Sequence, residues 1–203
     1  TVSIGELSAT EGRYTMTGGA LSASTQIYMG NGNVNSTGRL EVTGGRVDAP
    51  NIFVGRNGLG LMTVGGTATV SVNGVNADIV LGDLSSNNRT NTLFVNGGTV
   101  TVGDNIELGN AANSFGRMIM SGGTMVVTGQ VLVGDNASST GAVVITGGNV
   151  STLESLLIGS LGLGQFTMHG GSWTSTFIRL SDAIGGSTLT VGSGVLAAQG
   201  TGD

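Results

Sequence analysis

The side chains best suited to chemistry are few and scattered. There is one histidine, His169, no cysteine, and all seven basic residues are arginine. Thiolate and amine nucleophiles are thereby removed, and carboxylates remain as the main reactive groups. To cleave a glycosidic bond, the 12 acids would have to gather in twos or threes on one face, often beside a cation. They are dispersed instead. Glu107 falls among apolar residues at equivalent positions of neighbouring repeats, and His169 takes a turn position held elsewhere by Thr17, Thr43, Ser121 and Thr146. A surface turn accounts for that histidine. No catalytic residue and no cofactor is expected, and the chain does not read as an enzyme.

One polar set does recur at fixed intervals: Asn31, Arg56, Asp83, Asn110, Asp135, Ser160 and Asp182. Asn and Asp bond their own turns and tolerate left-handed backbone, so a stacked turn ladder explains it. The alternative is a calcium site on Asp83, Asn110 and Asp135. Hard cations want several converging carboxylates, and the glycine-rich calcium signature of β-helices is absent.

What must position these residues is a repeat. An apolar-x-apolar-Gly tetrad closes at Gly5, Gly30, Gly55, Gly82, Gly109, Gly134 and Gly159, with a variant at Ser181, at intervals of 25, 25, 27, 27, 25, 25 and 22 residues. Between tetrads, a strand runs into a Gly-Gly turn, as in Leu40-Glu-Val-Thr-Gly-Gly and Val143-Val-Ile-Thr-Gly-Gly, and a shorter strand follows. Aligned, the units give inward columns: Tyr14 to Leu189 and Met16 to Val191 before the turn, Leu21 to Trp173 after it, and Ile27 to Ile178 with Met29 to Leu180 in the tetrads. Alternation puts these on one side of each strand, and stacking joins them into one core. The expected fold is all-β: a single-domain parallel β-solenoid over residues 1–203, a right-handed β-helix with three short strands per coil of about 25 residues. An open half-coil would occupy 182–203.

Composition agrees. Glycine supplies 39 of 203 residues, yet the apolar share is 38% and charged residues only 9%, so the glycine punctuates an ordered array and does not mark disorder. A net charge of −5 without a basic cluster argues against nucleic acid or anionic lipid as partner, and no apolar run is long enough to insert in a membrane. The first residue is threonine, and no signal peptide is visible, so we expect a processed or excised segment.

With Thr-Gly-Gly turns at Thr17, Thr43 and Thr146 and apolar-x-apolar-Gly strands throughout, the units resemble the glycine-rich repeats of bacterial autotransporter passengers and related surface β-helix proteins. The resemblance covers essentially the whole chain. It implies an exported protein used in adhesion or surface layers.

Three functional expectations follow. The first is a structural subunit of an extracellular or cell-surface bacterial filament. Residues 182–203 and residues 1–5 of the next copy would together make one coil through Val2, Ile4, Leu189, Val191, Val195 and Leu196, giving a head-to-tail homopolymer. The second is an adhesin module binding a glycan or host surface through a lateral face. Outward positions that should be polar are apolar there: Tyr28, Phe53, Val80, Leu132 and Leu157 in the tetrads, and Phe94, Ile119 and Val144 before the turn. The third is an ice-binding ladder of Ser22, Thr67, Thr69, Thr99, Thr101, Thr124, Ser151, Ser172 and Thr174, interrupted by Arg46, Asp48 and Val126. Cross-strand pairing also explains that ladder. Asn35, Asn88, Asn136 and Asn149 open glycosylation sequons.

Overall fold

Alternating apolar side chains with glycine at the corners dictate short extended runs joined by tight turns. The computed structural model shows that unit stacked from end to end. It describes residues 1–7, 9–84, 89–181 and 185–200. In chain order the strands are β1 (Val2–Ile4), β2 (Glu11–Ser22), β3 (Gln26–Met29), β4 (Thr37–Ala49), β5 (Asn51–Val54), β6 (Leu59–Val64), β7 (Thr69–Val72) and β8 (Ile79–Leu81). They continue as β9 (Thr90–Val102), β10 (Ile106–Leu108), β11 (Phe115–Val127), β12 (Val131–Val133), β13 (Thr140–Ile158), β14 (Leu163–Leu180) and β15 (Thr188–Ala198). All pairings are parallel, and the described residues contain no helix. The fold is a parallel β-solenoid of about eight turns, with coils of about 25 residues.

Register follows the sequence alignment residue by residue. On the tetrad side, Val2, Ile27, Ile52, Ile79, Ile106, Val131, Leu156 and Ile178 pair in succession. On the side before the turn, Tyr14, Leu40, Met62, Leu93, Met118, Val143, Phe166 and Leu189 do the same. Beyond the turn the column is Leu21, Val47, Val70, Val100, Met125, Val150, Trp173 and Leu196. A further inward column, Ala49, Val72, Val102, Val127, Thr152 and Ser175, lies two residues on and is buried throughout. Each buried aliphatic contributes about 1.5–3 kcal/mol. One coil holds too few of them to fold alone, so stability comes from stacking. Trp173 and Phe166, both fully buried, meet edge to face at 5.2 Å and fill the core near the C-terminal end.

Two devices set the corners. The second glycine of each Gly-Gly turn has positive φ, as does the tetrad glycine. At Gly45 (φ 82°) a Cβ would lie 2.4 Å from the Gly19 carbonyl oxygen below it, so the stack tolerates no side chain there. The loop after the tetrad is closed by a buried serine that bonds back three residues: Ser36 to the Asn33 carbonyl at 2.7 Å, Ser114 to Ala111 at 2.7 Å and Ser139 to Asn136 at 2.6 Å. The third coil has one extra residue at its turn. Val64 pairs with Val42 and Thr69 with Arg46, so the run breaks into β6 and β7, where its neighbours bend through a bulge.

Candidate functional site

The outward residues of the tetrad strands form one ladder: Ser3, Tyr28, Phe53, Val80, Glu107, Leu132, Leu157 and Arg179. The aromatic rings of Tyr28 and Phe53 stack at 5.0 Å, and the Arg56 guanidinium sits 4.7 Å from the Tyr28 centroid. Arg56 also lies 3.5 Å from the Asp83 carboxylate and donates to Asn31 Oδ1 at 3.2 Å. The Arg56 side chain thereby covers part of the Tyr28 ring. Of the expected lateral residues, Val80 is buried at 4% exposure, Tyr28, Phe53, Leu132, Leu157, Ile119 and Val144 are half-buried, and Phe94 is exposed. Phe94, Ile119 and Val144 stand side by side on successive coils, so these apolar residues form ladders that are partly open and partly covered.

Glu107 is the strongest electrostatic feature. It is held between Val80 and Leu132 and accepts a hydrogen bond from Asn110. Burial, joined by the charges of Asp135, Asp78 and Asp83, pushes its carboxyl up to about 7 against the opposing pull of Asn110. Asp135 is raised by burial, and Asp83 is raised by burial while Arg56 holds it back. Of the calcium candidates, Asp83 therefore faces Arg56 and Asn110 faces Glu107. Among the described residues no three acidic or histidine side chains converge as a metal-binding group.

A polar column on the opposite flank of the tetrads escapes the sequence reading. Asn51 Oδ1 accepts from the Asp78 amide, Asp78 Oδ1 from the Asn105 amide, and Asn105 Oδ1 from the Gln130 amide, each at 2.8 Å. Its signal was the position before each tetrad: Gln26, Asn51, Asp78, Asn105 and Gln130. The ladder supports backbone amides at the corner, a structural task. Burial raises Asp78, with the Asn105 amide opposing.

Elsewhere the expected residues are spread along the rod. His169 is exposed at its turn, and its carbonyl accepts from Ser193. Hydroxyls beyond the turn do align, with Thr69, Thr99 and Thr124 in one column and Ser71, Thr101, Ser151 and Thr174 not all contiguous in the next. Val126 breaks the second column, and an Arg46–Asp48 ion pair at 2.6 Å occupies both columns on the preceding coil. Asn35 is exposed in a loop, Asn136 is engaged in the Ser139 turn, and Asn149 accepts from Ser172 at 2.7 Å on a strand. Asn88 and Asp182 lie outside the described residues. Of the expected assembly residues, Ile4 is buried and Val2, Leu189 and Leu196 are half-buried, while Val191 and Val195 are 44% and 57% exposed.

No family model, curated protein or solved structure matches this chain.

Proposed function

We propose that the protein is a structural subunit of an extracellular or cell-surface bacterial filament, built by copies stacked head to tail, with no catalytic role. One observation carries the reading. Leu180 is 49% exposed, whereas the residues of its column on the six preceding coils, from Met29 to Ile158, are fully buried. The strand that would cover it has the apolar-x-apolar pattern of β1, whose second edge is unpaired in the sheet order. With β1 of another copy there, Val2 covers Ile178 and Ile4 covers Leu180. Along the same seam, Leu189, Val191 and Leu196 of β15 meet Tyr14, Met16 and Leu21 of β2. Tyr14 and Val191 are both exposed at present, and β2 and β15 each pair on one side only.

Unpaired parallel edges recruit further strands, and a contact between two different surfaces of one molecule repeats without closing. Resemblance of the repeats to autotransporter passengers supports export to a cell surface. The test is electron microscopy of the purified 203-residue chain over a range of concentrations, with a variant lacking residues 1–5. Fibres one rod wide that disappear in the variant are expected. Monodisperse rods at every concentration, or fibres unchanged by the deletion, refute the reading.

A further inference from the structure

The outward side of the strand before the turn divides into two halves. On the first coils its charges are internally matched, with Arg13 bound to Glu41 at 2.7 Å and Arg39 to Glu11 at 2.6 Å. On the later coils, the segments Thr90–Val95, Phe115–Ser121, Thr140–Thr146 and Leu163–Met168 contain no aspartate or glutamate and one arginine, Arg117. Arg117 is exposed and makes no ion pair among the described residues. On a chain of net charge −5, this patch of the face thus carries a single charge, the positive one of Arg117.

That patch contains a groove of about 370 Å³. Its cause is one small residue. Ala142 pairs with Arg117 on one neighbouring coil and Gln165 on the other, so two long side chains stand roughly 10 Å apart, two strand spacings, across an alanine. Val144 continues the floor, Phe115 forms part of the wall on the Arg117 side, and Thr140 and Thr167 line the remainder. The volume lies near the lower end for small-molecule sites, about 300–1,000 Å³, which suits one or two sugar rings.

We propose that this groove binds an acidic saccharide, a uronic acid unit within a glycan chain. The Arg117 guanidinium takes the carboxylate in a forked contact. Gln165 and the threonine hydroxyls, which both donate and accept, meet the sugar hydroxyls. Phe115 and Val144 cover the apolar face of the ring. A peptide fits less well, since the middle of a sheet face offers no free backbone edge. The site does not depend on whether copies stack into a filament.

The experiment is calorimetric titration of the intact chain with trigalacturonate, its methyl ester and neutral maltotriose. Saturable binding of trigalacturonate alone is expected. Arg117→Gln should weaken it roughly ten- to hundredfold, as loss of a charged hydrogen bond does, and Ala142→Leu should abolish it by filling the notch. Both residues face outward, so circular dichroism and thermal melting of the variants should match the parent. Arg179→Gln, which removes an arginine outside the groove, should leave binding unchanged. The proposal is overturned by no saturable binding up to roughly 10 mM, a range weaker than about 3 kcal/mol. Equal affinity for maltotriose overturns it too, as does an effect of Arg179→Gln equal to that of Arg117→Gln.

Discussion

Replacing Glu107 by glutamine should stabilise the protein, and only in neutral or alkaline solution. The carboxyl moves from an ordinary 4.5 to about 7 on folding. The folded state therefore holds a proton that the unfolded state has already lost between those pH values, and stability falls as pH rises through that window. Across about 2.5 pH units at 1.36 kcal/mol each, the bound on the penalty is about 3 kcal/mol. Partial solvent exposure screens this to about 2 kcal/mol. Glutamine retains an acceptor for Asn110 and removes the charge facing Asp78, Asp83 and Asp135. Urea unfolding followed by circular dichroism should show a gain of about 2 kcal/mol at pH 8.5 and almost none at pH 4, or about 4–8 °C in melting temperature at the higher pH. The raised carboxyls of Asp78, Asp83 and Asp135 give the parent the same direction of pH dependence, so the variant keeps a smaller slope of the same sign. An equal gain at both pH values, or none at pH 8.5, refutes the electrostatic account.

Two stability predictions follow from the packing. Trp173→Ala removes the largest fully buried side chain, together with its contact to Phe166, and should cost about 3–5 kcal/mol in denaturant unfolding. Gly109→Ala and Gly19→Ala place alanine at similar φ, 75° and 77°. At Gly109, however, a Cβ meets Ser139 Oγ and the Thr140 carbonyl oxygen at 2.9 Å, while at Gly19 it meets nothing within 4 Å. The end-coil variant should lose about 1 kcal/mol, the backbone cost alone, and the buried one distinctly more. Equal losses would show that the backbone, and not the stack, sets the cost.

The inward columns were legible because a solenoid repeats its burial at every coil, so Ile27, Ile52, Ile79 and Ile106 announce one position several times over. The column of Ala49, Val72, Val102, Val127, Thr152 and Ser175 sits just as deep and was missed as a whole; in its last two members hydroxyls break the apolar pattern, and Ser175 bonds the Phe177 carbonyl at 3.0 Å. The openness of outward residues was not legible either. Alternation says which way Val80 points, but its burial depends on the side chains beside it, including Glu107 on the next coil. The Ala142 notch escaped for a related reason. Recurrence marks a column, whereas a groove arises where one residue is smaller than those above and below it. Arg117 is one of seven arginines in the sequence, and only the stacking of coils shows which segments, all without acids, lie beside it on that face.

The extra residue between Val64 and Thr69 shows how such a rod can change over evolutionary time. The coil absorbs an insertion at its turn and resumes the same pairing on both sides, so the corner works as an expansion joint. Loops can lengthen and acquire new surface chemistry without disturbing the columns that hold the stack. Because neighbouring coils share one register, whole units can also be duplicated or lost, and the length of the rod becomes adjustable separately from its thickness.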